Sequence, residues 1–507
     1  MDQKKSGVII QYINILLDFA IALFFTPFLL RSLGDAEFGL YRIVQSFSGQ
    51  LSILSFGIAT LVARNIVRYD TLGQKKEKEN FLAMAAITTA LLSFLVLLVG
   101  LILSFSLDSL FDKSLSLQEL NLAKKLYWVL IINIAVTVIT DMASGMLIGH
   151  EKFFIRNGLN TFKYILRVSI LIVLLKLNFG ALSIVCTDLC ISITIMVFEF
   201  IYGFVKLKEK VHFYYLDKAE LKVSLTFSFA IFLQAIVNQV NQNLDSVILG
   251  ALTTTATVAM YSIALNLFTM FNSITMVFGT VFVPQATRMI TKGASGKELT
   301  DLVVKPGRFA VVIGNLIISG FILFGKEFIG FWVGEKYSNA YLVAIILMIP
   351  GMLPLMQNVT NAILDAMMKR LGRSVILLLM ACINVIISIL LVKRIGYIGA
   401  AIGTAVSYVL GYMLFNNIYL SKNTKINLIE MYKGLLSRNF LVSVICFVFG
   451  IPLMFIKSSN IFVFIIKIVV YSLFYSLMIY RFGMKEYERD IITNLLKKIP
   501  IIRRIKI

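Results

Sequence analysis

The chain is predicted to be an all-α, polytopic membrane protein of about fourteen transmembrane helices, and three observations carry that expectation. Of its 507 residues 59% are hydrophobic and only 15% charged, with a mean hydropathy of +0.87, which is too apolar for a water-soluble domain. Apolar stretches of spanning length follow one another throughout, separated by short charged loops. Lys and Arg are concentrated in alternate loops, as the positive-inside rule requires of a multi-pass chain.

The first span is placed at 8–30, because this apolar run is as long as a spanning helix and no small-residue cleavage site follows it, although Lys4 and Lys5 resemble the start of a signal peptide. The next five lie near 38–63, 81–106, 122–148, 159–177 and 182–205. The second half continues with 223–249, 256–285, 309–332, 340–366, 374–394 and 398–420, and two more follow at 439–456 and 461–480. This grouping predicts a six-helix lobe over 1–206, a second over 207–422, two added helices in 423–480 and a basic tail over 481–507, with a central cavity between the two bundles. Basic residues cluster at 64–78, 152–156, 206–222, 288–308, 369–373, 422–438 and beyond 481, which puts both termini in the cytoplasm. The excess of 48 Lys and Arg over 27 Asp and Glu, a net charge of +21, is therefore mostly topology and does not imply nucleic acid. In the tail, basic residues alternate with isoleucine and leucine, a composition suited to a helix lying on an anionic leaflet.

Within this apolar frame, polar side chains share helix faces. From Gln234 to Asp245, Asn238, Asn241, Gln242 and Asp245 fall on one narrow face when the chain turns 100° per residue. In span one Gln11, Asn14 and Asp18 do the same; span two carries Arg42, Gln45 and Arg64, and span five Asn160, Lys163 and Arg167. Such groups are costly at membrane depth, so they normally face a bundle interior or a water-filled path. Spans one and seven each end a polar stripe in Asp, followed by a glycine (Gly34, Gly250) and a tyrosine (Tyr41, Tyr261), the kind of internal echo found in transporters built from two repeats. Pro350, Gly351 and Pro354 are expected to interrupt span ten.

Two segments resemble the polysaccharide flippases of the multidrug/oligosaccharidyl-lipid/polysaccharide exporter superfamily. The first is Thr26-Pro27-Phe28-Leu29-Leu30-Arg31-Ser32-Leu33-Gly34-Asp35-Ala36-Glu37-Phe38-Gly39-Leu40-Tyr41. The second is Asn243-Leu244-Asp245-Ser246-Val247-Ile248-Leu249-Gly250 with Val258-Ala259-Met260-Tyr261-Ser262-Ile263-Ala264. The resemblance implies an O-antigen or capsule flippase of the bacterial inner or plasma membrane. Such a protein moves an undecaprenyl-diphosphate-linked oligosaccharide between leaflets by alternating access, beside membrane lipids and polysaccharide polymerase machinery.

On that reading Arg42, Arg64, Lys163, Arg167 and Arg308 supply positive potential for the diphosphate in a wet, net-cationic cavity. Asn238, Asn241 and Gln242 bond sugar hydroxyls, and Asp18 and Asp245 couple transport to a proton or sodium ion. No cofactor or metal is expected: Cys186 and Cys190 are one turn apart but lack a third ligand. The main rival is a drug or cation antiporter of the same superfamily, which requires a cavity of net negative charge. A membrane glycosyltransferase or polymerase would need acid–base groups on an extended outer loop; His150 and His212 sit in short loops, and Asp108 and Asp112 match no metal or nucleotide motif.

Overall fold

A computed structural model describes residues 3–55, 57–111, 114–215, 243–280, 288–290, 292–367 and 369–497. Within these the chain is helical and contains no strand, as expected where backbone groups must be satisfied inside each segment. Helices α1 (Gln3–Gly49), α2 (Ile58–Leu72), α3 (Lys75–Phe111), α4 (Leu117–Gly149), α5 (Phe153–Lys176) and α6 (Gly180–Ile201) come first. There follow α7 (Asn243–Leu252), α8 (Thr255–Thr280), α9 (Gly296–Trp332), α10 (Ala340–Met356), α11 (Asn358–Ala366), α12 (Arg370–Ile395) and α13 (Tyr397–Tyr408). The last are α14 (Asn417–Asn423), α15 (Leu428–Leu436), α16 (Arg438–Phe455), α17 (Ile461–Met478) and α18 (Glu486–Lys497).

Eleven stretches of the described residues are long and apolar enough to cross a membrane. The difference from fourteen has local causes. Spans one and two share one stretch, Leu16–Ser52; most of span seven falls outside the described residues, leaving α7 as its end; and span eight corresponds to α8, which is not among the eleven. Apolar side chains cover the outside as well as filling the core. Phe455 is 81% exposed, Phe462 73% and Leu441 65%, and apolar surface of this kind is at home only against lipid.

Span two is not one rod. After α1 the chain tightens into a 3-10 turn at Gln50–Ser55, and Gly57 restarts it in a left-handed conformation before α2. The cause is a local run of serine and glycine: Ser48 Oγ donates to Val44 O at 2.6 Å and Ser52 Oγ to Gly49 O at 2.7 Å, side-chain bonds that compete with a regular ladder. Span ten behaves the other way. Helix α10 runs through Pro350 and Pro354, and the break comes at Gln357, a buried amide whose Nε2 donates to Tyr412 O (3.1 Å), Asn417 Oδ1 (3.1 Å) and Tyr432 Oη (2.7 Å). Packing and these acceptors, not the prolines, decide where the helix ends.

The contacts divide the chain into two compact units, Met1–Ile263 with Ala381–Gly403, and Ala264–Met380 with Thr404–Ile507. In the first, α1 packs along α5, and α4 is embraced by α2, α3 and α6. Residues 243–263 and 381–403 join these N-terminal helices, so this unit reaches past the expected lobe boundary at 206. Two motif glycines show why. Gly39 has no room for a Cβ, because the carbonyl of Thr255 occupies that place, and a Cβ on Gly250 would lie 2.8 Å from Ile43. The segments 26–41 and 243–264 therefore touch through glycine. Gly34 takes φ 73° and ψ 175° inside α1, a region open essentially to glycine alone, and there the helix bends. In the second unit α9 is the central rod, packed by α10, α15, α16 and α17, and started by a capping box in which Ser295 and Glu298 satisfy one another's backbone N–H groups. Helix α4 opens with the same device, Ser116 and Glu119, and Thr255 Oγ1 donates to Glu119 Oε1 at 3.1 Å.

Beyond α6 the extended segment 207–215 is pinned to the ends of α3 and α4. Asn80 Oδ1 accepts from the backbone N–H of Tyr214 (2.9 Å) and Tyr215 (3.1 Å). Glu209 is 5% exposed and lies 2.9 Å from Lys78 Nζ and 2.5 Å from His150 Nε2, while Lys78 also bonds Asp70 at 2.7 Å. Asp70, His150 and Glu209 have the spacing of a metal triad, but the Lys78 ammonium already bonds both carboxylates as the cation. Burial pushes the Glu209 carboxyl up, yet the bonds from His150 and Lys78 prevail and hold it below the usual carboxylate range.

Replacing Gly39 by alanine is expected to lower stability by about 1–3 kcal/mol, the usual cost of overpacking. Thermal unfolding in detergent checks this against Gly158→Ala, where an added Cβ meets open space. Because the folded pKa of Glu209 is depressed, its contribution is complete above about pH 4.5, the unfolded value, and fades as pH falls below it. The stability gap between wild type and Glu209→Gln should accordingly be constant from pH 7 to 5 and shrink below that.

Candidate functional site

The polar stripes of spans one and five face each other in the first unit. Asn14 is 8% exposed; its Nδ2 donates to Asn157 O at 3.0 Å, and its Oδ1 accepts from Thr161 Oγ1 at 2.6 Å. One turn further along α1 and nearly one along α5, Tyr164 Oη donates to Asp18 Oδ2 at 3.3 Å, with Asp18 exposed. Nearly one further turn along α5 is Arg167. Its guanidinium grips Asp188 of α6 with two bonds, Nε to Oδ1 at 2.5 Å and Nη2 to Oδ2 at 3.1 Å. Tyr41 and Arg42 are both close enough to Arg167 to feel its charge. Arg42 Nη1 in turn donates to Gln45 Oε1 at 3.3 Å.

This assembles α1, α5 and α6 around one ionic group within spans. Arg167 and Asp188 keep 22% and 17% of their side-chain surface exposed, so the pair is not sealed. A fork of parallel N–H bonds suits a carboxylate, and the same fork suits a phosphate.

The other expected residues are placed as follows. Lys163, one turn before Arg167, is partly exposed, and Arg64 lies exposed on α2. Asn238, Asn241 and Gln242 lie outside the described residues, as does the side chain of Gln11. Asp245, 4% exposed, is in the same unit: Tyr261 Oη donates to it at 2.6 Å, Asn384 Nδ2 at 3.4 Å, and Ser388 Oγ donates onward to Asn384 Oδ1 at 2.9 Å. The motif residues Asp245 and Tyr261 thus form one buried bond between α7 and α8. Arg308 belongs to the second unit, and its expected role as a free cation is corrected there. It is 1% exposed, forks onto Glu488, and gives its remaining donors to Gly434 O, Ser437 Oγ and Gly483 O, so its charge holds α9 to α15, α16 and α18.

Three carboxylates in spans of the first unit were missed. Asp188 neutralises Arg167, and Asp141 and Glu199 both lie in the field of Arg156, with Ser144 Oγ donating to Glu199 at 2.7 Å. The signal was available, since each is an acid inside an apolar run. Counting them, the polar faces of the first unit are mixed in charge, not simply cationic. Asp108, expected in an outer loop, lies within α3 and pairs with Lys124 at 2.7 Å, and Asp112 lies outside the described residues.

Helices of this length and apolarity, with paired charges among them, define a multi-pass membrane protein. Residues 5–290 match the family model described as polysaccharide biosynthesis protein, and the chain belongs to that family. No curated protein matches the sequence. The fold is similar to that of the lipid II flippase MurJ in an inward closed conformation (TM-score 0.74, 17% identity, covering 96% of this chain and 99% of that one). It is also similar to an inward-facing multidrug resistance MATE family transporter of the MOP superfamily (TM-score 0.61, 15% identity, 81% and 95%). The Vibrio cholerae MATE transporter VcmN gives a TM-score of 0.55 at 14% identity, over 83% and 98%.

Tyr261→Phe removes the short bond to a buried carboxylate and should cost roughly 1–3 kcal/mol, the range for hydrogen bonds to charged groups. Thermal unfolding of Tyr261→Phe and of Tyr261→Phe with Asp245→Asn tests it: the second substitution should recover part of the loss.

Proposed function

We propose that the protein is a flippase for lipid-linked oligosaccharides, carrying undecaprenyl-diphosphate-linked repeat units from the cytoplasmic to the outer leaflet of the bacterial inner or plasma membrane for surface polysaccharide. The observation that carries this reading is the partly exposed Arg167–Asp188 fork beside Arg42 and Tyr41, in a chain of the polysaccharide biosynthesis family. The lipid II flippase named among the similar folds lends support to a lipid-linked cargo.

In this mechanism Asp188 stands in for the cargo when the site is empty. An arriving diphosphate presents oxygens to the Arg167 fork and displaces Asp188, with Arg42 adding its field. Exchange of one anion for another avoids leaving a guanidinium bare at membrane depth, the state that costs most. Hydroxyl and amide groups of Tyr164, Asn14 and Thr161 line the approach and bond sugar hydroxyls in place of water. Asp18, exposed and bonded only weakly to Tyr164, is the group that exchanges a proton or sodium ion between states. Chemistry on the sugar has no part: the chain moves its cargo and returns.

Surface polysaccharide in a strain dependent on this gene, scored at equal protein level, tests the mechanism. Arg167→Ala and Arg42→Ala should each reduce display by about tenfold or more, the loss expected for one charge-assisted contact. Asp188→Asn should keep partial display because it removes the competitor and not the receptor. Normal display in Arg167→Ala would overturn the assignment. Extrusion of cationic drugs with polysaccharide unaffected would favour an antiporter instead.

A further inference from the structure

The second unit holds a cavity of about 800 Å³ that none of the transport argument uses. It lies where α16 begins and where the last span, Ile461–Gly483, ends, and its wall includes Arg308, Ser437, Arg438, Lys485, Glu486 and Arg489. Arg308 is already balanced by Glu488. That leaves Arg438, Lys485 and Arg489 opposed, among the lining residues, by the carboxylate of Glu486. Neither Arg438 nor Lys485 makes an ion pair among the described residues. Arg489 gives Nη2 to Arg481 O at 2.7 Å, yet its Nε is buried with no acceptor.

Three basic side chains around one hollow, opposed in its lining by Glu486 alone, raise a positive potential that an anion would complete. Two helix starts add to the same potential: α16 opens at Arg438 with no side-chain cap, and α18 opens at Glu486. Because a water takes up about 30 Å³, the volume admits a substituted phosphate together with its solvent. The floor is rigid, since Arg308 ties Gly434, Ser437, Gly483 and Glu488 together beneath it.

We propose that this cavity binds a phosphate group, carried on the headgroup of an anionic phospholipid or present as free phosphate. Its position, at the end of a span and beside the amphipathic α18, is where lipid headgroups are met. The site is independent of the Arg167 group, so its failure and that of the transport reading are told apart by different residues.

Native mass spectrometry of the purified full-length protein with phosphatidylglycerol, phosphatidylcholine and inorganic phosphate tests it. Phosphatidylglycerol should bind about tenfold more tightly than phosphatidylcholine, the preference should weaken as salt rises, and Arg438→Gln with Arg489→Gln should abolish it. Lys75→Gln with Lys76→Gln, which removes two exposed charges from the first unit, should leave it unchanged. Lys485→Gln, at an exposed position, gives a milder loss and serves should the double variant fail to fold. Competition by millimolar phosphate, sensitive to the same variants, identifies free phosphate as the ligand; lipid binding that phosphate does not displace identifies the headgroup. Equal binding by wild type and the cavity variants, or equal loss in the Lys75 and Lys76 control, overturns the site.

Discussion

An ion cannot be left alone in hydrocarbon, and the arrangement of this protein follows from that constraint. Arg167 finds Asp188 and Lys467 finds Glu327 at 2.7 Å, and where the last span ends Arg308 finds Glu488. Each pair joins two helices, consecutive ones for Arg167 and Asp188 and ones 140 and 180 positions apart for the other two, so the cost of burying charge also supplies the specificity that apolar packing lacks. Leucine and isoleucine are as content against lipid as against one another, whereas a guanidinium has few places to go. The pairs differ in how completely they are sealed. Arg308 is locked by several acceptors and reads as architecture; Arg167 retains access and reads as a site.

That distinction is the one a sequence does not carry. The all-helical, multi-pass character was legible in hydropathy and in the spacing of loops, and the facing of spans one and five was legible in the stripes through Asn14, Asp18 and Arg167. What one helix face cannot say is which partner stands opposite. Asp188 sits on α6, twenty-one positions from Arg167, and nothing in either segment's periodicity links them. Arg308 and Glu488 are 180 positions apart. Estimating charge by adding residues on faces already suspected of function therefore overcounted cations and left out Asp141, Asp188 and Glu199.

Local breaks were misjudged for a related reason. Prolines at 350 and 354 signal an interruption, yet the helix passes through both, as membrane helices tolerate. The true break falls at Gln357, an unremarkable amide until Tyr412, Asn416, Asn417 and Tyr432 are placed around it. Conversely, the interruption of span two was written in serine and glycine and went unnoticed because the run is apolar enough to count as one span. The motif glycines were read as signatures; their meaning is steric, Gly39 admitting a carbonyl and Gly250 an isoleucine.

Gly34 has a consequence of another kind. Every single-nucleotide change that alters this residue introduces a Cβ into a backbone geometry that only glycine occupies at low energy. The codon therefore has no conservative missense neighbour, whereas leucine, isoleucine and valine can replace one another along the rest of α1 at small cost.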